Sequence, residues 1–381
     1  MTLFARARWV GLLVGVAIAA LLLVMAGAPR ADAAAPGDTW SVNAAAPDTI
    51  AWHSVAWSPA LGLFVAVGTN SFMTSPDGIT WTARTAPTGG WSAIAWSPAL
   101  GLFTAVATSG TTRVMTSPDG VTWTAATVTG SNGAWSTIVW SPESHEFVAT
   151  AVATSVLTSS DGVTWTGTSG AGLPTLTHGL AWSPALSLYV TVTNSGSSSS
   201  PDAATWTAGT LPVNAWRGVA WSPARNLFVA AGIGGANNVA TSPDGVNWTP
   251  APTPVTANLS AVTWSPEQAE FVAVGQGSVL SSPDGVTWTT VTDPAPANTW
   301  VSVVWSAART SYVAVSSDGT LRTLLGVVPA PVTPPVTAPA AVPDPELAAT
   351  GANALPFAAS GFLALLIGAG LMLGARRRAL R

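Results

Sequence analysis

The chain contains no cysteine, and none of its 13 basic residues is a lysine. The first absence excludes disulfides and thiolate metal sites. The second makes every fixed cation an arginine. Charged residues are scarce at 8% of the 381, tyrosine occurs twice and histidine three times. With the two chain ends set aside, residues 34–351 keep six arginines against 16 acids, a formal net charge of −10. An acidic body with no basic stripe does not suit a polyanion, so nucleic acid and anionic lipid surfaces are excluded as partners.

Tryptophan is abundant, at 20 residues, and it is placed periodically. The phrase SPDGxTW recurs six times: Ser75 to Trp81, Ser117 to Trp123, Ser159 to Trp165, Ser200 to Trp206, Ser242 to Trp248 and Ser282 to Trp288. Successive copies lie 40 to 42 residues apart. A second phrase, close to AWSPALGLF, recurs seven times around Trp57, Trp96, Trp140, Trp182, Trp221, Trp264 and Trp305. Each period contains short β-branched runs separated by Pro/Gly turns, which is the pattern of a four-stranded blade. In the second repeat, strand A spans residues 92–96, strand B 102–107, strand C 113–116 and strand D 122–125. The expected fold is therefore all-β: a seven-bladed β-propeller of four-stranded antiparallel blades over residues 37–327.

The seventh repeat lacks a strand. Its Ser316 to Gly319 looks like another copy of the phrase, but it follows Tyr312-Val313-Ala314-Val315 directly, so it occupies the turn from strand B to strand C. Gly37-Asp38-Thr39-Trp40-Ser41 matches the start of strand D in the other repeats without a strand C before it. The N-terminal strand is thus expected to dock as the outer strand of the last blade and close the ring like velcro.

Both ends read as segments outside the fold. Residues 1–33 carry Arg6 and Arg8, an apolar run and Ala31-Asp32-Ala33, the pattern of a secretory signal peptide. Residues 328–346 are a Pro-rich stalk, extended at about 3 Å per residue. Then come Leu347, Ala348, Ala349, Thr350 and Gly351, an apolar segment over 355–375 long enough to span a membrane as a helix, and a tail with Arg376, Arg377, Arg378 and Arg381. This order over 347–381 resembles a Gram-positive cell-wall sorting signal of the LAxTG type. The resemblance implies a class E sortase as partner, cleavage after Thr350 and transfer of Thr350 to a peptidoglycan precursor. It implies a location on the wall or outer membrane face of a Gram-positive, actinobacterial cell, with membrane contact only through the C-terminal segment.

The phrase SxDGxTW is similar to the Asp box, or BNR repeat, of sialidase-like propellers, shortened by one residue. It covers about 290 residues of the chain, and it carries the fold far better than it carries an activity. Its aspartates, Asp77, Asp119, Asp161, Asp202, Asp244 and Asp284, read as turn-forming residues that accept backbone N–H bonds, with the following glycine supplying positive φ. Each stands alone in its hairpin, which argues against metal sites. In the fourth repeat Ala203 replaces the glycine.

Catalytic machinery is not recognisable. A sialidase, by resemblance, needs an arginine triad and a tyrosine–glutamate pair. Here Tyr189 and Tyr312 occupy a core position held elsewhere by Phe64, Phe103 and Phe228. The arginines are dispersed over the repeats. Glu143, Glu146, Glu267 and Glu270 fall in the turns between strands A and B and read as solvated charges, and the three histidines read as occupying different blade positions. No catalytic residue, cofactor or metal is assigned. Trp52, Trp91, Trp135, Trp216 and Trp300 open strand A in five repeats and are candidate ligand-stacking residues around one channel mouth, or else covers for the seams between blades. The expected function is non-catalytic binding or adhesion at the cell surface, the ligand being a glycan or a surface protein. The alternatives are a secreted sialidase-like glycoside hydrolase and a structural component of a surface coat.

Overall fold

Alternation of apolar and small residues along each short run puts one set of side chains on each face of a blade, and stacking the blades buries both sets. In the computed structural model this produces seven antiparallel-built sheets whose innermost strands neighbour one another in a closed cycle. The structure describes residues 39–43, 50–85, 87–234, 237–254, 256, 258–293, 297–318 and 323–327. All of them belong to the first of two units, Met1–Val332. The signal segment, stalk, sorting motif (Leu347 to Gly351) and 355–375 segment lie outside the described residues.

The innermost strands, in ring order, are Trp52–Ser58, Trp91–Ser97, Trp135–Ser141, Thr177–Ser183, Ala215–Ser222, Asn258–Ser265 and Trp300–Ser306. In the sheet of the seventh repeat, Thr323–Val327 pairs with Ser311–Ser316 on one side and with Thr39–Asn43 on the other, both antiparallel. The first strand of the fold is thereby the outer strand of the last sheet. Trp40 stacks on Tyr312 at 5.8 Å and 17°, taking the place that a phrase tryptophan takes elsewhere. Asp318 accepts the backbone N–H of Thr299 at 2.7 Å, so this Ser-Ser-Asp segment ties down an inter-strand loop instead of building another SPDG turn.

The expectation of seven uniform four-stranded blades flanked by a transmembrane helix is corrected in two respects. Six sheets, not seven, are four-stranded; the sheet of the third repeat has five strands. The fourth strand of the second repeat is only Thr124–Ala125, after which Thr127–Gly130 crosses to the outer edge of the next sheet and pairs in parallel with Thr164–Ser169. Two glycines permit this. Gly130 adopts φ 78°, and a Cβ on Gly130 would sit 2.2 Å from the Gly167 carbonyl oxygen. The second concerns the helix: none among the described residues is long and apolar enough to cross a membrane, and the 355–375 segment expected to do so lies outside them.

Each SPDG segment closes its hairpin by the same bonds. In the first, Ser75 Oγ accepts the Gly78 N–H at 2.8 Å and donates to Asp77 Oδ1 at 2.9 Å. The same Oδ1 accepts the N–H groups of Ile79 and Thr80 at 2.8 and 2.7 Å, and Trp81 Nε1 donates to the Gly78 carbonyl at 3.1 Å. Desolvation pushes the Asp77 carboxyl up, but these backbone and serine bonds outweigh it and the net shift is downward. In the fourth repeat Ala203 adopts φ 56° and the bond from its N–H to Ser200 Oγ is the missing one, while Asp202 still accepts Ala204 and Thr205 at 2.9 Å. The glycine also keeps the turn close to its neighbour: a Cβ on Gly245 would meet Val190 at 2.6 Å.

Candidate binding funnel

The five candidate tryptophans are fully buried. Trp52, Trp91, Trp135, Trp216 and Trp300 expose 0–1% of their surface, and Thr177 and Leu259, which stand at the same position, expose 0%. An indole so enclosed offers no face for a ligand to stack on, so of the two readings burial favours the seam cover. They cover the seams instead: Trp91 meets Phe72 of the preceding sheet edge-on at 5.2 Å. Three of them also anchor loops, with Trp91 Nε1 donating to Pro87 O, Trp216 Nε1 to Pro212 O and Trp300 Nε1 to Asp293 Oδ2.

The residues that do reach the channel mouth are their immediate neighbours. In all seven inner strands the pairing register slips immediately after this position, between Trp52 and Ser54 and at the equivalent places in the others. A bulge re-aims the extra residue and raises the local twist. The bulged residues are His53, Ser92, Ser136, His178, Arg217, Ser260 and Val301, and all seven line one cavity of about 190 Å³. Six of them, Ser136 excepted, also line a second, overlapping cavity of about 370 Å³, joined there by Ile233 and Thr299 from the loop ends. The mouth therefore lies at the end of the ring where strand A begins.

Below the bulges come Ser54, Ala93, Thr137, Gly179, Gly218, Ala261 and Ser302. At Gly179 and Gly218 a Cβ would come within 2.9 Å of the following inner strand. One position further along each strand stand Val55, Ile94, Ile138, Leu180, Val219, Val262 and Val303, branched aliphatic residues at 5–9% exposure, of which Leu180, Val219, Val262 and Val303 line the smaller cavity. Most serines of the wall are occupied in holding sheets together. Ser92 Oγ donates to Trp135 O at 2.7 Å, Ile94 N–H donates to Ser54 Oγ, and Val55 N–H donates to Ser302 Oγ. Ser136 Oγ lies 3.0 Å from both Thr150 O and Thr177 Oγ1.

The charge of the funnel comes from Arg217. Its Nη1 donates to Asn194 Oδ1 and to the Trp216 carbonyl, and no Asp or Glu lines either cavity. His178, beside it, is pushed down to about 4 by burial and then by the Arg217 charge, with Asn194 acting weakly the other way. Its Nε2 is buried without a hydrogen-bond partner, so the ring is neutral near pH 7. Across the ring His53, 3.2 Å from Thr69 Oγ1, is also lowered by burial. The funnel thus holds one cation and two neutral imidazoles.

Sequence reasoning missed this site by one residue. His53 and His178, read as unrelated, occupy equivalent bulge positions, while His145 sits in a turn between strands A and B. Of Arg84, Arg113 and Arg217, only Arg217 lines the funnel; Arg113 donates to Gly133 O at 2.7 Å and Arg84 to Thr74 Oγ1 at 2.9 Å. The glutamates read as solvated are also corrected. Glu143 accepts Trp182 Nε1 and Glu267 accepts Trp305 Nε1, each at 2.6 Å from one sheet to the next, and Glu270 accepts the Tyr312 hydroxyl at 3.0 Å. Tyr189 and Tyr312 are core residues at 1% exposure. Among the described residues no cluster of three or more His, Asp or Glu is arranged to hold a metal ion.

A closed ring of sheets around a funnel defines a β-propeller. Solved structures agree. A structure titled YCF48 bound to D1 peptide aligns with 76% of this chain and 95% of its own, at TM-score 0.59 and 16% identity. YCF48 from Cyanidioschyzon merolae aligns with 76% and 98%, at TM-score 0.58 and 14% identity. Virginiamycin B lyase from Staphylococcus aureus aligns with 76% and 99%, at TM-score 0.64 and 9% identity. At these identities the likeness is one of fold, and the neighbours differ in what they do. No protein-family model and no curated protein sequence matches the chain.

Proposed function

We propose that this chain is a non-catalytic binding propeller held at the cell surface, and that the funnel is its ligand site. One observation carries the reading: seven bulges in seven equivalent strands turn their extra residue into one cation-bearing mouth. The repeated bulge raises the twist of every blade and in doing so delivers seven side chains to one place. The hydrogen-bonded SxDG turns support reading the repeats as shortened Asp boxes. The LAATG motif of Leu347 to Gly351, the apolar segment after it and the arginine tail support export, sortase cleavage and joining of Thr350 to a peptidoglycan precursor. In this reading the ligand is a glycan or a surface protein met outside the cell.

A glycan and surface-protein array probed with the full-length chain tests the binding site. Selective binding that is lost in His53→Ala and Arg217→Ala, both still folded by circular dichroism, is the expected result. Binding unaffected by both substitutions moves the site away from the funnel. For the anchor, Thr350→Ala is expected to shift the protein from the wall fraction to the membrane and medium.

A further inference from the structure

We propose that the funnel selects a carboxylate on a compact aliphatic body, with the carboxylate seated on the Nε–Nη2 edge of Arg217. The inference rests on the funnel being the ligand site and narrows what enters it.

The argument begins with the guanidinium. Arginine carries five N–H donors in a planar fork. Both bonds that Arg217 makes to the protein come from Nη1, to Asn194 Oδ1 and Trp216 O. One edge of the fork is thus fixed, and the Nε and Nη2 edge keeps two parallel N–H groups. That is the geometry a carboxylate matches with two bonds. No acidic side chain among the described residues lines the funnel to occupy it. Partial burial of the guanidinium, which lowers its pKa, also strengthens its pull on an anion.

The body of the ligand follows from what the wall has left to offer. A sugar acid needs several free hydrogen-bonding groups, but Ser54, Ser92, Ser136 and Ser302 are engaged in stitching the sheets. Ser260, Thr137, Thr299 and the two imidazoles remain. Beneath them lie Gly179 and Gly218 and then Leu180, Val219, Val262 and Val303. A cavity of about 370 Å³ holds roughly a dozen waters at ~30 Å³ each. Displacing them where Ile233 and Val301 add apolar surface at the mouth favours a small branched hydrocarbon group over a bulky polyhydroxylated ring. The chemistry that fits is that of a free branched-chain acid or of a polypeptide terminus ending in a small aliphatic residue.

The histidines supply the readout. The chain has three, and His53 and His178 line the funnel while His145 stands in a turn at the other end of inner and second strands, so the imidazole C–H resonances of the full-length protein report on the site with an internal control. N-acetylvaline, its amide, 3-methylbutanoate and glucuronate are titrated at pH 7. N-acetylvaline or 3-methylbutanoate, or both, are expected to shift the His53 and His178 signals and leave His145 in place. The amide is expected to bind at least ten-fold more weakly, as is N-acetylvaline to Arg217→Gln. Arg217→Lys, which keeps the charge and loses the fork, is expected to recover only part of the affinity. N-acetylvaline without 3-methylbutanoate identifies a chain terminus as the source, and the reverse pattern a free acid. Equal binding of acid and amide overturns the proposal, as does tighter binding of glucuronate. If none of the four binds while an array ligand still depends on Arg217, the carboxylate assignment fails and the binding-propeller reading survives. If nothing shifts either funnel histidine, both fail.

Discussion

The seams between sheets contain a natural comparison that can be turned into a quantitative test. The third residue of each turn between strands A and B faces the strand A tryptophan of the next sheet. Where that residue is Glu143 or Glu267, the indole of Trp182 or Trp305 donates to it at 2.6 Å. Where it is Ala60, Ala99, Ala185 or Ala224, the indole Nε1 of Trp96, Trp140, Trp221 or Trp264 is buried without a partner. Replacing Ala99 by Glu should therefore supply Trp140 with its missing acceptor. A hydrogen bond to a charged group contributes about 1.5–3 kcal/mol, and ordering a glutamate side chain costs up to about 1.5 kcal/mol. The net expectation is about 1 kcal/mol of stabilisation, and Glu143→Ala should lose about the same. The assay is urea unfolding followed by tryptophan fluorescence, with the cycle Glu143→Ala against Trp182→Phe to isolate the pair. A coupling near 1 kcal/mol is expected, with Glu143→Ala silent once Trp182 is Phe. If Glu143→Ala and Glu267→Ala both leave the midpoint unchanged, the pins contribute nothing and the reasoning fails.

Closure by the N-terminal strand predicts that Trp40→Ala, which empties a site at 9% exposure, destabilises the whole ring by about 3 kcal/mol in denaturant unfolding; a local effect confined to residues 39–43 in hydrogen exchange would contradict it. Thr310 holds φ 47° in a turn where Gly62 and Gly101 stand in other repeats, so Thr310→Gly is expected to raise the melting midpoint, by about 1 kcal/mol, as left-handed strain is relieved in a β-branched residue. His178 binds a proton more weakly when folded, at about 4 against an ordinary 6.5, so its contribution is complete above about 6.5 and is lost as pH falls toward 4. Arg217→Gln should raise the NMR-titrated value only part of the way, because burial is the larger cause. Asp244 is lowered to about 2: desolvation pushes it up, but its bonds to Asn247, Val246 and Ser242 prevail. The stability it adds should therefore vanish as pH drops from about 4 to about 2, and Asp244→Asn should remove that acid-limb dependence in unfolding titrations.

The ring was legible because its signals are local and repeated: the phrase SPDGxTW contains every atom of its own turn, and Gly37 to Ser41 resembles a fourth strand without its third. Two features were not. The crossing of Thr127–Gly130 to the next sheet depends on which edge lies within reach, and nothing in TVTG distinguishes an outward continuation from an exchange. The funnel was hidden for a similar reason. A strict period of two places His53 and His178 on a face by counting, but a bulge is a property of the pair of strands, and it alone turns them to the mouth. Tryptophan attracted the ligand assignment because its face can stack on sugars. Burial at 0–1% decides instead that Trp52 and its equivalents close the seams, and the residue just after each of them, polar in every case but Val301, was the better signal.

Thr323–Val327 lies in the middle of its sheet, with Thr39–Asn43 on one flank and Ser311–Ser316 on the other, five residue pairs to each. It is also the last described strand, so tension applied to the chain beyond it enters the ring there. Such a pull meets two ladders at once, one belonging to the first strand and one to the last repeat, and neither can peel without the other. The splice that completes the circle is thus also its mechanical clamp. Force entering at that strand is shared by two ladders, and its release would need the loss of both ends of the fold together.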